Sequence, residues 1–279
     1  MTLSEVYSQS IKQLKNPDVE EINIRILLCE INSLKSMSDF YLRKDEEIRD
    51  LPRYQRYFER YLSGEPVQYI LEKTEFYGNE FSIDNRVLIP RQESEEVVDF
   101  TIKKTHELFG SKKVDIADVC CGSGIMGISL AKNLNASNVY LSDVSIDALD
   151  VARTNSDNLK VKTNLLCGNA LDKMILTNIK VDVLVSNPPY ILKNEYVDKS
   201  VLDYEPHLAL FADDNFSIHK DIISNLKKIK KDVLLTVFEI GAYTRSVLEP
   251  FIKESFPDCE YAFVKDINQK ERILYIVLK

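Results

Sequence analysis

The feature that most constrains the fold of this chain is an alternation, from Gln92 to the carboxyl terminus, of short apolar runs with longer amphipathic stretches. Short apolar runs predict buried strands, and the stretches between them, such as Ile146–Leu159, have helical spacing. The predicted strands are Val114–Val119, Asn138–Ser142, Thr163–Cys167, Val181–Ser186, Val233–Ile240, Tyr261–Val264 and Arg272–Val277. This order is typical of βαβ units, so the sequence predicts an α/β domain with a parallel sheet.

The two last predicted strands differ from the others in their connection. Only Lys265–Glu271 separate them, which is too short for the crossover that parallel neighbours need. We therefore expect a mostly parallel sheet with an antiparallel last strand. That arrangement fits the Rossmann-like sheet of S-adenosylmethionine-dependent methyltransferases better than the sheet of a dinucleotide-dependent dehydrogenase.

The amino-terminal part of the chain has a different pattern. Residues 1–75 show helical spacing of apolar side chains, most clearly in Val19–Leu34, and no strand alternation. The pattern breaks at Gly64 and Pro66, and short β-rich runs follow around Phe76, Phe81–Ile83 and Val87–Ile89. The sequence predicts three parts: a small all-helical domain (1–75), a β-hairpin linker (76–90) and the α/β domain (91–279).

Composition narrows the classes of function and the compartment. The chain has 44 acidic and 36 basic residues and a net charge of −8, so stable binding to nucleic acid is not expected. No apolar run approaches the roughly 18 residues of a membrane span, and the first residues lack the apolar segment of a signal peptide. We expect no membrane association and a cytoplasmic protein. The five cysteines, without metal-ligand spacing, predict buried free thiols and no metal site.

Two histidines are predicted to be surface residues. His106 lies among charged neighbours in an amphipathic stretch, and His219 lies near a helix start. For His207, in the segment Glu205–Leu210, a place in a substrate groove and a packing role stay open.

The first strand of the α/β domain ends in a glycine-containing turn, Asp118–Gly124. Glycines at a strand-to-helix turn let backbone amides approach a ligand, although a purely structural tight turn explains the same residues. The second strand ends at Asp143, about twenty residues further on, where a carboxylate can bind the ribose hydroxyls of an adenosine. Asp143 or Ser145 could instead cap the following helix. After the third strand, Asn169 and Ala170 can meet the adenine edge.

The most specific motif is Asn187-Pro188-Pro189-Tyr190, directly after the apolar strand Val181–Ser186. A planar NH₂ group is a poor nucleophile because its lone pair is delocalised. The side-chain oxygen of Asn187 and the carbonyl of Pro188 can each accept one N–H and so turn that lone pair toward a methyl sulfonium. The prolines stiffen the backbone, and the ring of Tyr190 can pack on the planar target. The structural alternative is a turn that is made rigid by its prolines and in which the ring of Tyr190 only fills space.

Several segments together resemble the HemK/PrmC family of release factor glutamine methyltransferases, from about residue 20 to the carboxyl terminus. They are Gly64–Ile70, Glu75–Gly78, Leu88–Glu95, Asn187–Ile191, Glu205–Leu210, Glu239–Gly241, and Lys265 and Asp266 with Arg272. The resemblance implies methylation of the glutamine in the Gly-Gly-Gln loop of peptide-chain release factors, a step that acts on translation termination. It also implies a helical domain that helps to dock the release factor.

Carried over by position, the resemblance implies a role for each motif. S-adenosylmethionine, which leaves as S-adenosylhomocysteine, would be bound through the segment from Asp118 to Gly124, through Asp143, and through Asn169 and Ala170. Within that segment, the residues assigned to the cofactor are Asp118, Cys120, Cys121, Gly122, Ser123 and Gly124. The catalytic residues Asn187, Pro188, Pro189 and Tyr190 would hold the glutamine amide, with Asn187 also at the cofactor. Arg91 and Glu93 would cover the site and bind substrate.

The sequence departs from the family pattern at several positions. Cys120 and Cys121 replace the usual Gly-Thr, Gln92 replaces a proline, and Asn169 replaces a common aspartate. Other functions therefore stay open: an adenine-specific DNA or RNA methyltransferase, a ribosomal-protein glutamine methyltransferase, or a cofactor-binding module without catalysis.

Overall fold

The computed structural model describes residues 1–15 and 17–279, with side chains in the second range from residue 20 onward. The Cα positions group the chain into two compact units. The first unit contains Met1–Lys73 and Lys199–Tyr204, and the second contains Thr74–Asp198 and Glu205–Lys279. The helix Lys199–Tyr204 thus belongs to the first unit although it follows most of the second in sequence.

The first unit consists of helices around one apolar core. Its helices are α1 (Leu3–Ile11), α2 (Pro17–Asn32), α3 (Met37–Leu42), α4 (Leu51–Leu62), α5 (Val67–Leu71) and α10 (Lys199–Tyr204). Leu3, Ile24, Leu27 and Leu28 are fully buried in this core, so these short helices are stabilised by shared packing. No helix in the described part of the chain is long and apolar enough to cross a membrane.

The second unit is an α/β domain preceded by a hairpin. Its strands are β1 (Lys73–Phe76) and β2 (Asn79–Ser82) in the hairpin, then β3 (Val114–Val119), β4 (Ala136–Asp143), β5 (Asn164–Cys167), β6 (Val181–Ser186), β7 (Lys230–Glu239), β8 (Glu260–Lys265) and β9 (Glu271–Leu278). Its helices are α6 (Gln92–Phe109), α7 (Ile125–Asn133), α8 (Ile146–Asn158), α9 (Asp172–Leu176), α11 (His207–Leu210), α12 (Ser217–Ile229) and α13 (Thr244–Ser255).

The seven strands of the main sheet follow the order β5-β4-β3-β6-β7-β9-β8. Strands β3 to β7 run parallel, whereas β9 is antiparallel to both β7 and β8. The chain order reverses between β3 and β6, and at such a switch point the loops after the strands diverge and leave a crevice. The predicted α/β fold is confirmed, including the antiparallel last strand and the helical amino-terminal region.

One predicted strand is absent from the described structure. Val87–Ile89 form a loop, although their apolar character suggested a third β-rich run. The backbone N–H of Ile89 donates to the carboxylate of Glu205 at 3.1 Å instead of joining a ladder. A long-range side-chain contact therefore replaces the strand pairing that the local sequence favours.

His219 is fully buried, so the prediction of a surface position was wrong. It lies between the rings of Phe216 and Phe238, with centroid distances of 5.6 and 5.7 Å. Burial lowers the pKa of His219 to about 4, so the ring is neutral at pH 7. The expectation for the cysteines was also wrong in part. All five are free, but only Cys29 and Cys121 are buried, whereas Cys120 and Cys259 are half-buried and Cys167 is exposed.

Candidate active site

A cavity of about 310 Å³ lies at the carboxyl edge of the parallel strands in the second unit. Its walls come from the loops after β3, β4, β5 and β6, from the loop before α6, and from the segment around α11. The lining side chains are mostly apolar, with a few polar groups, as is usual for cofactor sites. The polar and charged members are Arg86, Ser94, Ser123, Asp143, Ser145, Asn169 and Asn187.

The turn after β3 has three residues in the left-handed region, with φ of +58° at Cys120, +52° at Gly122 and +75° at Gly124. The N–H of Gly122 donates to Oδ2 of Asp143 at 2.8 Å and ties this turn to the end of β4. A Cβ added to Gly122 would meet no atom within 4 Å, because the residue borders the cavity. The turn can therefore accept a ligand close to its backbone.

Beneath the turn, Asp118 is completely buried and does not reach the cavity lining among the described residues. Its Oδ2 accepts the N–H of Gly127 at 2.7 Å. A Cβ on Gly127 would lie 2.6 Å from Cδ2 of Leu141 and 2.8 Å from Cβ of Asp118, so only glycine allows α7 to pack this closely on the sheet. Burial raises the pKa of Asp118 to about 7. Asp118 fixes the start of α7 from below.

Asp143 ends β4 and lines the cavity. Its Oδ1 accepts the N–H of Ser145 at 2.9 Å, and its Oδ2 accepts the N–H of Gly122. Ser145 is the residue that caps α8, because its hydroxyl accepts the N–H of Ala148 at 3.2 Å. Each carboxylate oxygen of Asp143 keeps a lone pair for a ligand hydroxyl. On the next loop, Asn169 is exposed and Ala170 is buried, and both line the cavity.

The segment Asn187–Tyr190 leaves β6 at the centre of the sheet edge. Asn187 is half-buried and lines the cavity, and among the described residues its side-chain amide has no hydrogen-bond partner. Pro188 is buried, and Pro189 lines the cavity. The hydroxyl of Tyr190 donates to Oε1 of Glu239 at 3.0 Å. The amide of Asn187 is thus open to a bound group, whereas the ring of Tyr190 is held by the protein.

Two segments distant in sequence form the remaining wall. The loop before α6 contributes Arg86, Val87, Leu88 and Pro90, and the region around α11 contributes Pro206, Leu208, Ala209 and Phe211. They are joined by Glu205, which is buried and accepts from Nη2 of Arg91 at 2.6 Å as well as from the N–H of Ile89. Arg91 also donates to the carbonyl of Ile89 at 2.8 Å. This ion pair, between a buried carboxylate and a partly exposed guanidinium, fastens the two segments together.

The structure brings most of the predicted site residues to one cavity. Nine of them line it: Cys120, Cys121, Gly122, Ser123, Asp143, Asn169, Ala170, Asn187 and Pro189. In the described part of the chain, six predicted site residues do not line the cavity. Those behind its lining are Asp118, Gly124, Pro188 and Tyr190, and those outside it are Arg91 and Glu93.

Sequence reasoning missed the wall formed by Arg86–Pro90 and by Pro206–Phe211. The available signal was that both segments overlap motifs that carry the family resemblance, Leu88–Glu95 and Glu205–Leu210, although Arg86, Val87 and Phe211 lie outside them. Ile125 and Met126 at the start of α7, and Val144 and Ala148 after β4, were missed as lining residues because each looks like ordinary core.

Comparison with known proteins relates this geometry to a family. Residues 94–203 match the methyltransferase small domain, and residues 5–71 match the PrmC N-terminal domain. The chain is 36% identical to the release factor glutamine methyltransferase of Bacillus subtilis, over 81% of this chain and 80% of the relative. It is 37% identical to that of Flavobacterium psychrophilum, over 76% and 75%.

Solved structures agree with the observed fold. The ribosomal protein L11 methylase of Lactobacillus delbrueckii subsp. bulgaricus superposes with a TM-score of 0.50 at 16% identity, over 71% of this chain and 83% of that protein. At this identity the likeness concerns the fold alone. The sequence relatives extend across both units, and together with the matched amino-terminal domain they show that the chain belongs to the family of release factor glutamine methyltransferases.

Proposed function

We propose that this protein transfers a methyl group from S-adenosylmethionine to the side-chain amide nitrogen of the glutamine in the Gly-Gly-Gln loop of peptide-chain release factors. The observation that carries the proposal is the position of Asn187. Its open side-chain amide lines the same cavity as Gly122 and Asp143, which are suited to hold a nucleoside cofactor. The membership of the chain in the family supports the choice of acceptor.

The residues of the cavity fit S-adenosylmethionine. The open space above Gly122 admits a ligand against the backbone, and the free lone pairs of Asp143 can bind ribose hydroxyls. We assign the turn Cys120–Gly124 to the methionine part, and Asn169 with Ala170 to the adenine. When bound, the cofactor supplies an electrophilic methyl group on a positively charged sulfur. Asp118 supports this side indirectly, because it holds the N–H of Gly127 beneath the turn.

The acceptor amide needs orientation more than activation by a strong base. We assign Oδ1 of Asn187 and the carbonyl oxygen of Pro188 to accept the two N–H groups of the glutamine side chain. Two acceptors fix the amide plane and direct the nitrogen lone pair toward the methyl group, and such positioning can supply several kcal/mol of the barrier reduction. The methylated nitrogen is cationic and loses its proton readily to water or to Asn187.

The release factor is much larger than its loop, so binding outside the cavity is expected. We assign residues 1–75 to docking of the release factor, the hairpin region 76–90 to the link, and residues 91–279 to catalysis. Arg91 and Glu93 remain candidates to cover the bound loop, and the ion pair of Arg91 with Glu205 holds that wall in place. Binding energy from docking can be used to position the amide. The cytoplasm is the compartment that this function requires.

A methylation assay with labelled S-adenosylmethionine tests the function. The acceptors are intact release factor, duplex DNA, RNA and ribosomal proteins in separate reactions. We expect label only on the release factor, and mass spectrometry of the digested product should place the methyl group on the glutamine. Label on adenine would establish the nucleic-acid alternative. Cofactor binding without label on any acceptor would establish a binding module.

A further inference from the structure

Behind Tyr190 lies a buried polar cluster that the proposed reaction does not use directly. Its centre is Glu239, the last residue of β7, which is 1% exposed. Oε1 accepts the hydroxyl of Tyr190 at 3.0 Å, and Oε2 accepts the hydroxyl of Ser94 at 2.5 Å. Both carboxylate oxygens therefore have a donor, and the carboxylate is held from two directions.

The sheet register explains why this cluster meets the acceptor side of the cavity. Parallel pairing places Ser186 opposite Phe238, so β6 and β7 end side by side. Glu239 follows Phe238 just as Asn187 follows Ser186. Residues 187–190 therefore pass over the end of the strand that carries Glu239.

The ring of Tyr190 also packs closely against Gly241. A Cβ added to Gly241 would lie 2.8 Å from Cδ2 of the ring, so the ring rests on the backbone just after β7. Gly241 contacts the ring of Tyr190, and Glu239 binds its hydroxyl group. An aromatic ring held at both places has little freedom to rotate or tilt.

A carboxylate at this place is costly for the fold. Burial raises the pKa of Glu239, and hydrogen bonds from Ser94 and Tyr190 and the charge of Arg272 oppose that effect. A buried charged group is weak evidence for a role in stability, because apolar residues of similar volume often replace it without loss. A buried carboxylate beside an assigned site residue points to a role at the site.

We infer that Glu239 is a positioning residue, which holds the ring of Tyr190 through its hydroxyl and so fixes residues 187–190, the segment that presents Asn187 to the acceptor amide. The inference rests on the proposed function. Glu239 does not touch the acceptor. Its effect on Tyr190 passes through one hydrogen bond, so removal of either partner of that bond should lower turnover.

A double-mutant cycle on turnover tests this coupling. The variants are Tyr190→Phe, Glu239→Met and the double variant, assayed with release factor under saturating S-adenosylmethionine. Loss of one hydrogen bond that positions this segment corresponds to about a 10-fold lower kcat. We expect that loss in each single variant, with unchanged affinity for the cofactor. The double variant should be no slower than the slower single variant.

Thr236→Val is the matched control on the same strand. Thr236 is fully buried with no partner for its hydroxyl among the described residues, so this change perturbs the core of β7 without touching Tyr190. We expect wild-type kcat in this variant. If Glu239→Met fails to fold, Tyr190→Phe alone decides, because full activity in that variant overturns the inference. Additive losses in the double variant also overturn it.

Crystal structures give a readout that does not depend on the acceptor. In Glu239→Met the ring of Tyr190 should leave its position on Gly241, and a ring that stays there contradicts the inference. If the wild-type enzyme transfers no methyl group to release factor, the proposed function is refuted. The crystal structures would still decide the role of Glu239 in that case.

Discussion

The two sides of the cavity are each supported by a buried carboxylate, but the two carboxylates are bound in different ways. Asp118, beneath the glycine turn, accepts the backbone N–H of Gly127, nine positions away in sequence. Its other oxygen has no hydrogen-bond partner among the described residues. Glu239, beneath Tyr190, binds two side-chain hydroxyls, from residues 49 and 145 positions away.

The difference indicates that the two sides of the cavity have different functions. On the side that we assign to the cofactor, carboxylates bind backbone N–H groups 9 and 21 positions away, at Gly127 and Gly122. On the side that we assign to the acceptor, side chains from more distant segments fix the hydroxyl of Tyr190. Changes on the cofactor side should therefore alter cofactor affinity or stability, whereas changes on the acceptor side should alter turnover.

The largest expected effect is on the acceptor side. Asn187→Ala removes the open amide that we assign to the glutamine nitrogen, and loss of orientation costs on the order of 10²-fold or more in rate. The dissociation constant of S-adenosylmethionine should stay within a few-fold of wild type. Single-turnover methylation and calorimetric titration measure the two quantities. Retained turnover would remove Asn187 from the acceptor side.

The second prediction concerns Asp118 and pH. Burial raises its pKa from 3.8 to about 7, so the folded protein holds a proton that the unfolded chain releases. The stability due to that proton is complete below about pH 4 and is lost as the pH rises through about 7. This loss amounts to roughly 4 kcal/mol. Asp118→Asn should lack it, and parallel pH profiles of unfolding free energy in the two proteins would contradict the prediction.

The third prediction separates cofactor binding from helix capping. Asp143→Ala should weaken S-adenosylmethionine binding by about 1.5–3 kcal/mol, because hydrogen bonds to a charged group are lost. Asp143→Asn is the matched variant, since it keeps one acceptor oxygen, and it should lose less. Calorimetry beside a thermal melt measures both effects. A lower melting temperature with unchanged affinity would assign Asp143 to structure alone.

The smallest expected effect is a gain. Cys120 is held at φ +58°, a conformation that costs a residue with a Cβ about 1–2 kcal/mol. Glycine removes this strain but loses more entropy on folding, so Cys120→Gly should stabilise the protein by up to about 1 kcal/mol. Denaturant unfolding measures the change. A destabilised variant would show that packing of the thiol outweighs the strain.

The sequence was sufficient for the sheet and for the meeting of the glycine turn with Asp143 at one edge of it, because both depend on local patterns. The apolar run Val181–Ser186 is the observed β6 without a change of bounds. The glycine turn and Asp143 follow strand ends, and strand ends of a parallel sheet meet at one edge.

The remainder depends on contacts that no local pattern contains. The pairing of Glu239 with Tyr190 requires the register of β6 and β7, and the loop at Val87–Ile89 depends on Glu205, 116 positions away from Ile89. The burial of His219 was predictable, since it lies at helical spacing from Ile222, Ile223 and Leu226 on the core face of α12. The surface prediction rested instead on its place near the start of the helix.

The most direct test of the central claim, that this site orients the amide of one glutamine, is a change in the acceptor. Release factor with its Gly-Gly-Gln glutamine replaced by asparagine has the same amide on a side chain one methylene shorter. We assign Asn187 and Pro188 to hold the amide while the main chain is docked elsewhere. The shorter side chain should therefore place the nitrogen roughly 1 Å out of line, and such a displacement can cost on the order of 10²-fold in rate. We predict a methyl group on the glutamine of intact release factor and almost none on the asparagine variant, located by mass spectrometry. Equal methylation of the two proteins would contradict the account.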